Sequence, residues 1–109
     1  MTDQELRQLD AQVHEAFFGE KVTYGIAEMF CGYSAFVVPY YTKYLAAAWT
    51  VDREGWSWTF SESETGVDVW LGFPPDCETD YNVEFENGDK PRAYCLARCK
   101  CALRALEAK

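Results

Sequence analysis

The chain has 109 residues, of which 49% are hydrophobic and 17% aromatic, and its formal net charge is −8. This composition excludes a disordered chain, and the length favours one domain over residues 1–109. The charge is uneven: residues 52–89 carry eleven acids and one base, whereas residues 90–109 carry one acid and six bases. So acidic a chain lacks the basic footprint that direct nucleic-acid binding and attraction to anionic lipid require.

The cysteine content and the hydropathy pattern bear on the cellular compartment. Five cysteines are an odd number, and no secretory leader pattern opens the sequence, so we expect a reduced protein in the cytoplasm. No apolar run approaches the roughly 20 residues of a membrane-spanning helix, so we expect no membrane association.

The first predicted element is an amphipathic helix over residues 3–18. Its apolar side chains recur at spacings of three and four, at Leu6, Leu9, Val13 and Phe17. Thr2 or Asp3 is available as the N-cap, and Gly19 ends the helix.

The segment 21–38 predicts two strands. From residue 21 to residue 30 the apolar period falls to two, with Val22, Tyr24 and Ile26 on one side. Gly32-Tyr33-Ser34 then indicates a turn into the apolar run 35–38. Gly25 and Gly32 are equally compatible with a bulged or irregular segment.

A second helix is predicted after Pro39, ending at Gly55. Thr42 is the natural N-cap, and the triple alanine 46–48 allows the helix to approach a neighbouring element closely. Trp49 fills the wider gap to one side. We expect this helix to lie flat on a sheet.

Strict alternation follows Gly55. Trp56, Trp58 and Phe60 share one face of a strand, and the run 67–73 places its apolar residues on one face of the next. The polar link SESETG (61–66) predicts an antiparallel hairpin. Trp70 falls on the opposite face of its strand, which indicates that both sheet faces are at least partly covered. A short further alternation at 81–85 precedes the turn ENGD (86–89).

The last helix is predicted from Pro91 to about Glu107. Its apolar stripe comprises Leu96, Cys99, Leu103 and Leu106, and its basic residues, among them Arg98, Lys100 and Arg104, mostly occupy the exposed side. The order αββαββ(β)α predicts an α+β fold, in which helices pack on a mainly antiparallel sheet of about four strands as an α/β/α sandwich.

Three stretches resemble the phage ABA sandwich domain, a family of small proteins encoded by bacteriophages and prophages. These are LDAQVHEAFFG (9–19), PYYTKYLAAAW (39–49) and ARCKCALRAL (97–106), and the central one is the most specific. Tyr41, Lys43 and Arg98 depart from the family pattern. The resemblance implies a helix–sheet–helix sandwich of phage origin acting in the host cytoplasm, and it implies no chemistry.

Two groups of residues are candidates for chemistry. Cys95 and Cys99 lie one helical turn apart, but a closed zinc site needs four ligands, and Cys101 points about 200° away from Cys99. We expect these cysteines to pack in the core. His14, the only histidine, is expected at the surface or at the boundary of the core, and no catalytic, metal or cofactor site is predicted.

The acids of the central segment have a structural and a functional interpretation. In the structural one they form a solvated sheet edge that resists aggregation. In the functional one they form a negative surface that mimics nucleic-acid phosphates and so binds a host protein. The affinity for that protein should then fall as the salt concentration rises. The residues of this candidate acidic face are Glu62, Glu64, Asp68, Glu78, Asp80, Glu84 and Glu86.

The aromatic residues offer an alternative, a pocket that stacks a nucleotide-like ligand, alone or at the interface of a homodimer. Its candidate residues are Tyr33, Tyr40, Tyr41, Trp56, Trp70 and Arg98. We favour a non-enzymatic phage accessory protein that binds a host protein, with the ligand-binding protein second and an enzyme third.

Overall fold

A computed structural model describes residues 2–24, 28–31 and 36–107 of the chain. In chain order the elements are α1 (Asp3–Phe18), β1 (Val22–Tyr24), β2 (Met29–Cys31), β3 (Phe36–Val37), α2 (Leu45–Ala48), β4 (Ser57–Glu62), β5 (Gly66–Phe73), β6 (Cys77–Glu84) and α3 (Lys90–Glu107).

The first helix is confirmed with its predicted bounds. Thr2 accepts a hydrogen bond from the backbone N–H of Glu5, and the Glu5 carboxylate accepts one from the backbone of Thr2, which completes a capping box. Gly19 ends the helix in the left-handed conformation at φ 68°. All four residues of the predicted apolar stripe are buried.

The segment 21–38 contains more strands than predicted. β1, β2 and β3 form a small antiparallel sheet, with Val22 opposite Cys31 and Phe30 opposite Val37. Residues 21–30 therefore contribute to two paired strands where the sequence indicated one. The predicted turn at 32–34 and the strand position of Ile26 lie outside the described residues.

The second helix is shorter than predicted and lies against another helix. α2 has only four residues, its N-cap is Tyr44, and no side chain caps it. Thr42 is instead buried beside α1, where its backbone N–H donates to Asp10 Oδ1 at 2.8 Å. Of the three alanines only Ala48 is fully buried, and it packs towards α3, whose Arg98 donates to its carbonyl. The predictions of Thr42 as N-cap and of a helix flat on a sheet were wrong.

The second sheet confirms the predicted hairpin and adds a long third strand. Its order is β4-β5-β6, antiparallel throughout, and its inner face buries Val67, Val69 and Leu71 completely. β6 begins at Cys77, so it is longer than the predicted alternation at 81–85. Trp70 is 41% exposed, and the outer face of this sheet is open where the sequence suggested partial cover.

α3 lies between the second sheet and the rest of the fold. Its Cys101 thiol donates to the carbonyl of Thr79 in β6 at 3.8 Å, whereas the Cys99 thiol donates to the carbonyl of Tyr41 on the other side. A helix covered on two sides needs small residues on both, and its buried positions are mainly alanine and cysteine. The leucines at 96, 103 and 106 are only partly buried, and Arg98, predicted as mostly exposed, is 3% exposed.

The fold is α+β, as the sequence predicts, with antiparallel pairing in every strand. The strands of the described residues divide into two three-stranded sheets, whereas one sheet of about four was expected, and the α/β/α sandwich order is not confirmed. None of the described helices is long and apolar enough to span a membrane.

Candidate functional site

The open face of the second sheet is the most distinctive surface of the described residues. In an antiparallel sheet, directly opposed residues point to the same side, so the register of β4, β5 and β6 defines this face. We call it the outer sheet face; its exposed residues are Ser57, Thr59, Ser61, Asp68, Trp70, Glu78, Asp80, Asn82 and Glu84.

Trp70 stands at the centre of the outer sheet face. It lies on the middle strand, opposite Thr59 on one side and Asp80 on the other. Its ring extends along the strand over Gly72, where an added Cβ would lie 2.9 Å from a ring carbon. Gly72 thus lets the indole lie close to the sheet while the ring remains 41% exposed. Tryptophan is one of the residue types enriched at binding hot spots.

All charged residues of the outer sheet face are acidic. From residue 54 to residue 89 the sequence contains no lysine or arginine. Asp68 accepts a hydrogen bond from Asn82 at 2.7 Å, and among the described residues none of the acids on the face forms an ion pair. The field of these carboxylates is therefore not neutralised by neighbouring side chains.

The structure brings together only part of the predicted acidic face. Asp68, Glu78, Asp80 and Glu84 lie on the outer sheet face, and Glu64 and Glu86 lie in the turns that flank its strands. All six are exposed.

Glu62 is an exception. It points to the other side of the sheet, where it pairs with Lys90 at 3.1 Å and accepts a hydrogen bond from the Tyr94 hydroxyl at 2.9 Å. These contacts lower the pKa of Glu62, and they remove it from the candidate surface.

The predicted aromatic pocket is not assembled. Tyr41 and Trp56 are core residues, Arg98 is buried beneath Trp49 and Trp58, and Trp70 lies on the far side of the sheet. Tyr33 lies outside the described residues.

Tyr40 is the chain neighbour of Tyr41, but its side chain has different partners. The Arg7 guanidinium lies 3.8 Å from the centre of its ring, and the Tyr40 hydroxyl donates to Glu28. The five described residues of the predicted pocket therefore have their side chains in different parts of the fold.

The cysteines of α3 are confirmed as core residues. Cys95, Cys99 and Cys101 are fully buried, and burial raises the pKa of Cys95 and of Cys101 to about 11 and that of Cys99 still further. Within the described ranges, none of them belongs to a group of three metal-binding side chains. A buried thiol with a raised pKa is an inert small core residue.

His14 is buried, contrary to the prediction of a surface or boundary residue. Its Nδ1 lies 2.6 Å from the Tyr41 hydroxyl and its Nε2 lies 3.0 Å from Glu20, and its ring stacks on Phe18. Cys31 lies beside the same imidazole. Sequence reasoning missed this cluster because its members are 6 to 27 residues apart and no spacing motif links them.

The comparisons with known proteins add no relative. No protein-family model matches the chain, and neither a curated protein nor a solved structure matches it. The resemblance to the phage ABA sandwich domain therefore rests on the three sequence stretches alone.

Proposed function

We propose that the chain is a non-enzymatic binding protein that docks a basic surface of another protein on its outer sheet face. The observation that carries this proposal is Trp70, an exposed aromatic residue at the centre of a face whose charged residues are all acidic. Interfaces of this type combine a central aromatic anchor with charges that complement the partner.

The charge of the face defines the chemistry of the partner. Carboxylates without cationic neighbours repel nucleic acid and attract lysine- and arginine-rich surfaces, such as those with which proteins bind nucleic acid. The resemblance to the phage ABA sandwich domain adds the source of that partner to the proposal. The chain would be a phage accessory protein, and its target a host protein in the bacterial cytoplasm.

The first test reverses charges on the face. Asp68→Lys combined with Asp80→Lys should abolish capture of the partner from a bacterial lysate, because both lysines would face a basic surface. The matched control is Glu64→Lys combined with Glu86→Lys. Both pairs change the formal net charge from −8 to −4, but the control residues lie in turns. If both pairs lose the partner equally, overall charge rather than this face determines binding.

The second test addresses the aromatic anchor. Trp70→Thr should weaken the purified complex by about 2 kcal/mol or more, whereas Tyr24→Thr, which removes an exposed aromatic residue elsewhere, should leave the affinity unchanged. Titration calorimetry at about 0.05 M and about 0.5 M salt should show a marked loss of affinity at the higher concentration. Full affinity of the Trp70→Thr variant would refute the proposed docking face.

A further inference from the structure

Three side-chain atoms that can ligate a metal lie close together where the end of α1 meets the small sheet. His14 lies in the last part of α1, Glu20 directly follows Gly19, and Cys31 is the last residue of β2. One ligand atom of each residue lies within 4.8 Å of the other two. His14 and Cys31 are buried and Glu20 is exposed, so solvent reaches the cluster from the side of Glu20.

The imidazole is held in one orientation from both sides. The Tyr41 hydroxyl contacts Nδ1, and the rings of Phe18 and Tyr41 stack on it with centroids 5.2 and 5.9 Å away. Nε2 thereby faces Glu20. A histidine that binds a metal through one nitrogen almost always uses the other for such an orienting hydrogen bond.

The same contacts argue against nucleophilic catalysis by Cys31. A catalytic thiol needs a ring nitrogen that accepts its proton, with the acid on the other nitrogen. Here both ring nitrogens have other partners, and the Cys31 thiol donates to the carbonyl of Phe36 at 3.3 Å. Burial and the nearby Glu20 carboxylate raise the pKa of this thiol, the opposite of what activates a nucleophile.

We propose that His14, Glu20 and Cys31 bind a divalent transition-metal ion of the zinc class, with a fourth position open to solvent. Thiolate, imidazole and carboxylate are the three side-chain ligands that zinc accepts. Tetrahedral coordination requires ligand atoms roughly 3.3–3.8 Å apart, so the separations within the cluster must shorten by at most about 1 Å. His14 Nε2 and the Glu20 carboxylate already lie 3.0 Å apart, so the contraction is towards the Cys31 sulfur. Glu20 can follow this movement, because its side chain is 49% exposed and comes directly after the end of α1.

Metal binding at this cluster has a defined proton balance. The Cys31 thiol loses its proton to solvent when its sulfur bonds to the ion, so the affinity should rise with pH. The bound ion would join α1 to β2, two elements that lie apart in the sequence, and should therefore raise the midpoint of thermal unfolding.

Cobalt(II) is the probe of choice, because a cobalt–thiolate bond gives a charge-transfer absorption that other ligands do not. The titration uses the full chain in a Cys77→Ser background, which removes the exposed cysteine. We expect this absorption at one equivalent and its loss when Zn²⁺ is added. Cys31→Ser should abolish it, whereas Cys101→Ala, a control in the core, should retain it.

Two further variants separate ligation from folding. Glu20→Gln changes an exposed side chain and should weaken cobalt binding at least tenfold, and Tyr41→Phe, which removes only the hydroxyl on Nδ1, should weaken it by about 10- to 100-fold. Circular dichroism would verify that each variant folds. No charge-transfer absorption in the parent protein, or an absorption that survives Cys31→Ser, would overturn the proposal.

Discussion

Replacement of the buried Arg98 tests whether the contacts of its guanidinium outweigh the cost of removing this charge from water. The guanidinium lies between the rings of Trp49 and Trp58, 4.7 and 4.1 Å from their centres. Its Nε donates to the carbonyl of Ala48 at 3.0 Å, near the end of α2. Asp52 lies 3.9 Å away but its side chain is 48% exposed, so this ion pair contributes little.

The expected change in the free energy of unfolding follows from two stabilising contributions and one cost. A hydrogen bond from a charged donor contributes about 1.5–3 kcal/mol, and a desolvated cation–π contact about 2 kcal/mol. Removing the guanidinium from water costs several kcal/mol, and the same burial lowers the pKa of Arg98. Arg98→Met keeps the apolar stem, and we expect it to lower the free energy of unfolding by about 1–2 kcal/mol; Arg98→Ala, which also leaves a cavity, should lower it by about 3–4 kcal/mol.

Urea unfolding followed by circular dichroism measures both changes through the midpoint, with the slope unchanged. The matched control is Arg104→Met on the same helix, where an exposed arginine donates to the carbonyl of Asp80 and lies over Tyr81. It should cost less than about 1 kcal/mol, because an exposed charge is already solvated. If Arg98→Met were at least as stable as the parent protein, the cost of dehydration would equal or exceed the contribution of the contacts, and the reasoning would fail.

Two further predictions concern pH and backbone packing. Hydrogen bonds, chiefly from Tyr40, lower the pKa of Glu28 to about 2. The ionised carboxylate therefore stabilises the native state fully above about pH 4.5, and this stabilisation is lost as the pH falls towards 2. In Glu28→Gln the free energy of unfolding should depend less steeply on pH in that window. An unchanged pH dependence would contradict this prediction. Gly66→Ala places a Cβ 2.5 Å from the carbonyl oxygen of Val83 and should cost about 1–3 kcal/mol in thermal unfolding; Gly72→Ala, which meets only a movable side chain, should cost less.

Patterns within one element allowed most of the local structure to be predicted. The 3.6-residue period and the caps at Thr2 and Gly19 predicted α1 with its bounds, and strict alternation predicted the β4–β5 hairpin. Both signals depend on neighbours along the chain. The prediction of the second helix was wrong for the same reason. Threonine is a common N-cap residue, but the backbone N–H of Thr42 donates to Asp10, which lies 32 residues away in the sequence.

The candidate surface was partly predictable. Alternation places Asp68 and Trp70 on one side of β5, and Glu78, Asp80 and Glu84 on one side of β6. Only the pairing register shows that these two sides belong to the same face of the sheet. Glu62 was included in this set because the sequence pattern placed it in the polar link 61–66. β4 extends to Glu62, and alternation then turns its side chain to the side of Phe60, where Lys90 and Tyr94 contact it.

The sequence by itself determined the class of fold, the acidic segment and the elements whose periodicity is regular. Tertiary structure alone decided that α3 is covered on two sides, that Arg98 and His14 are buried, and that His14 meets Glu20 and Cys31. The physical reason is that periodicity records which side of one element is apolar. Burial of a polar side chain depends instead on partners that distant parts of the chain supply.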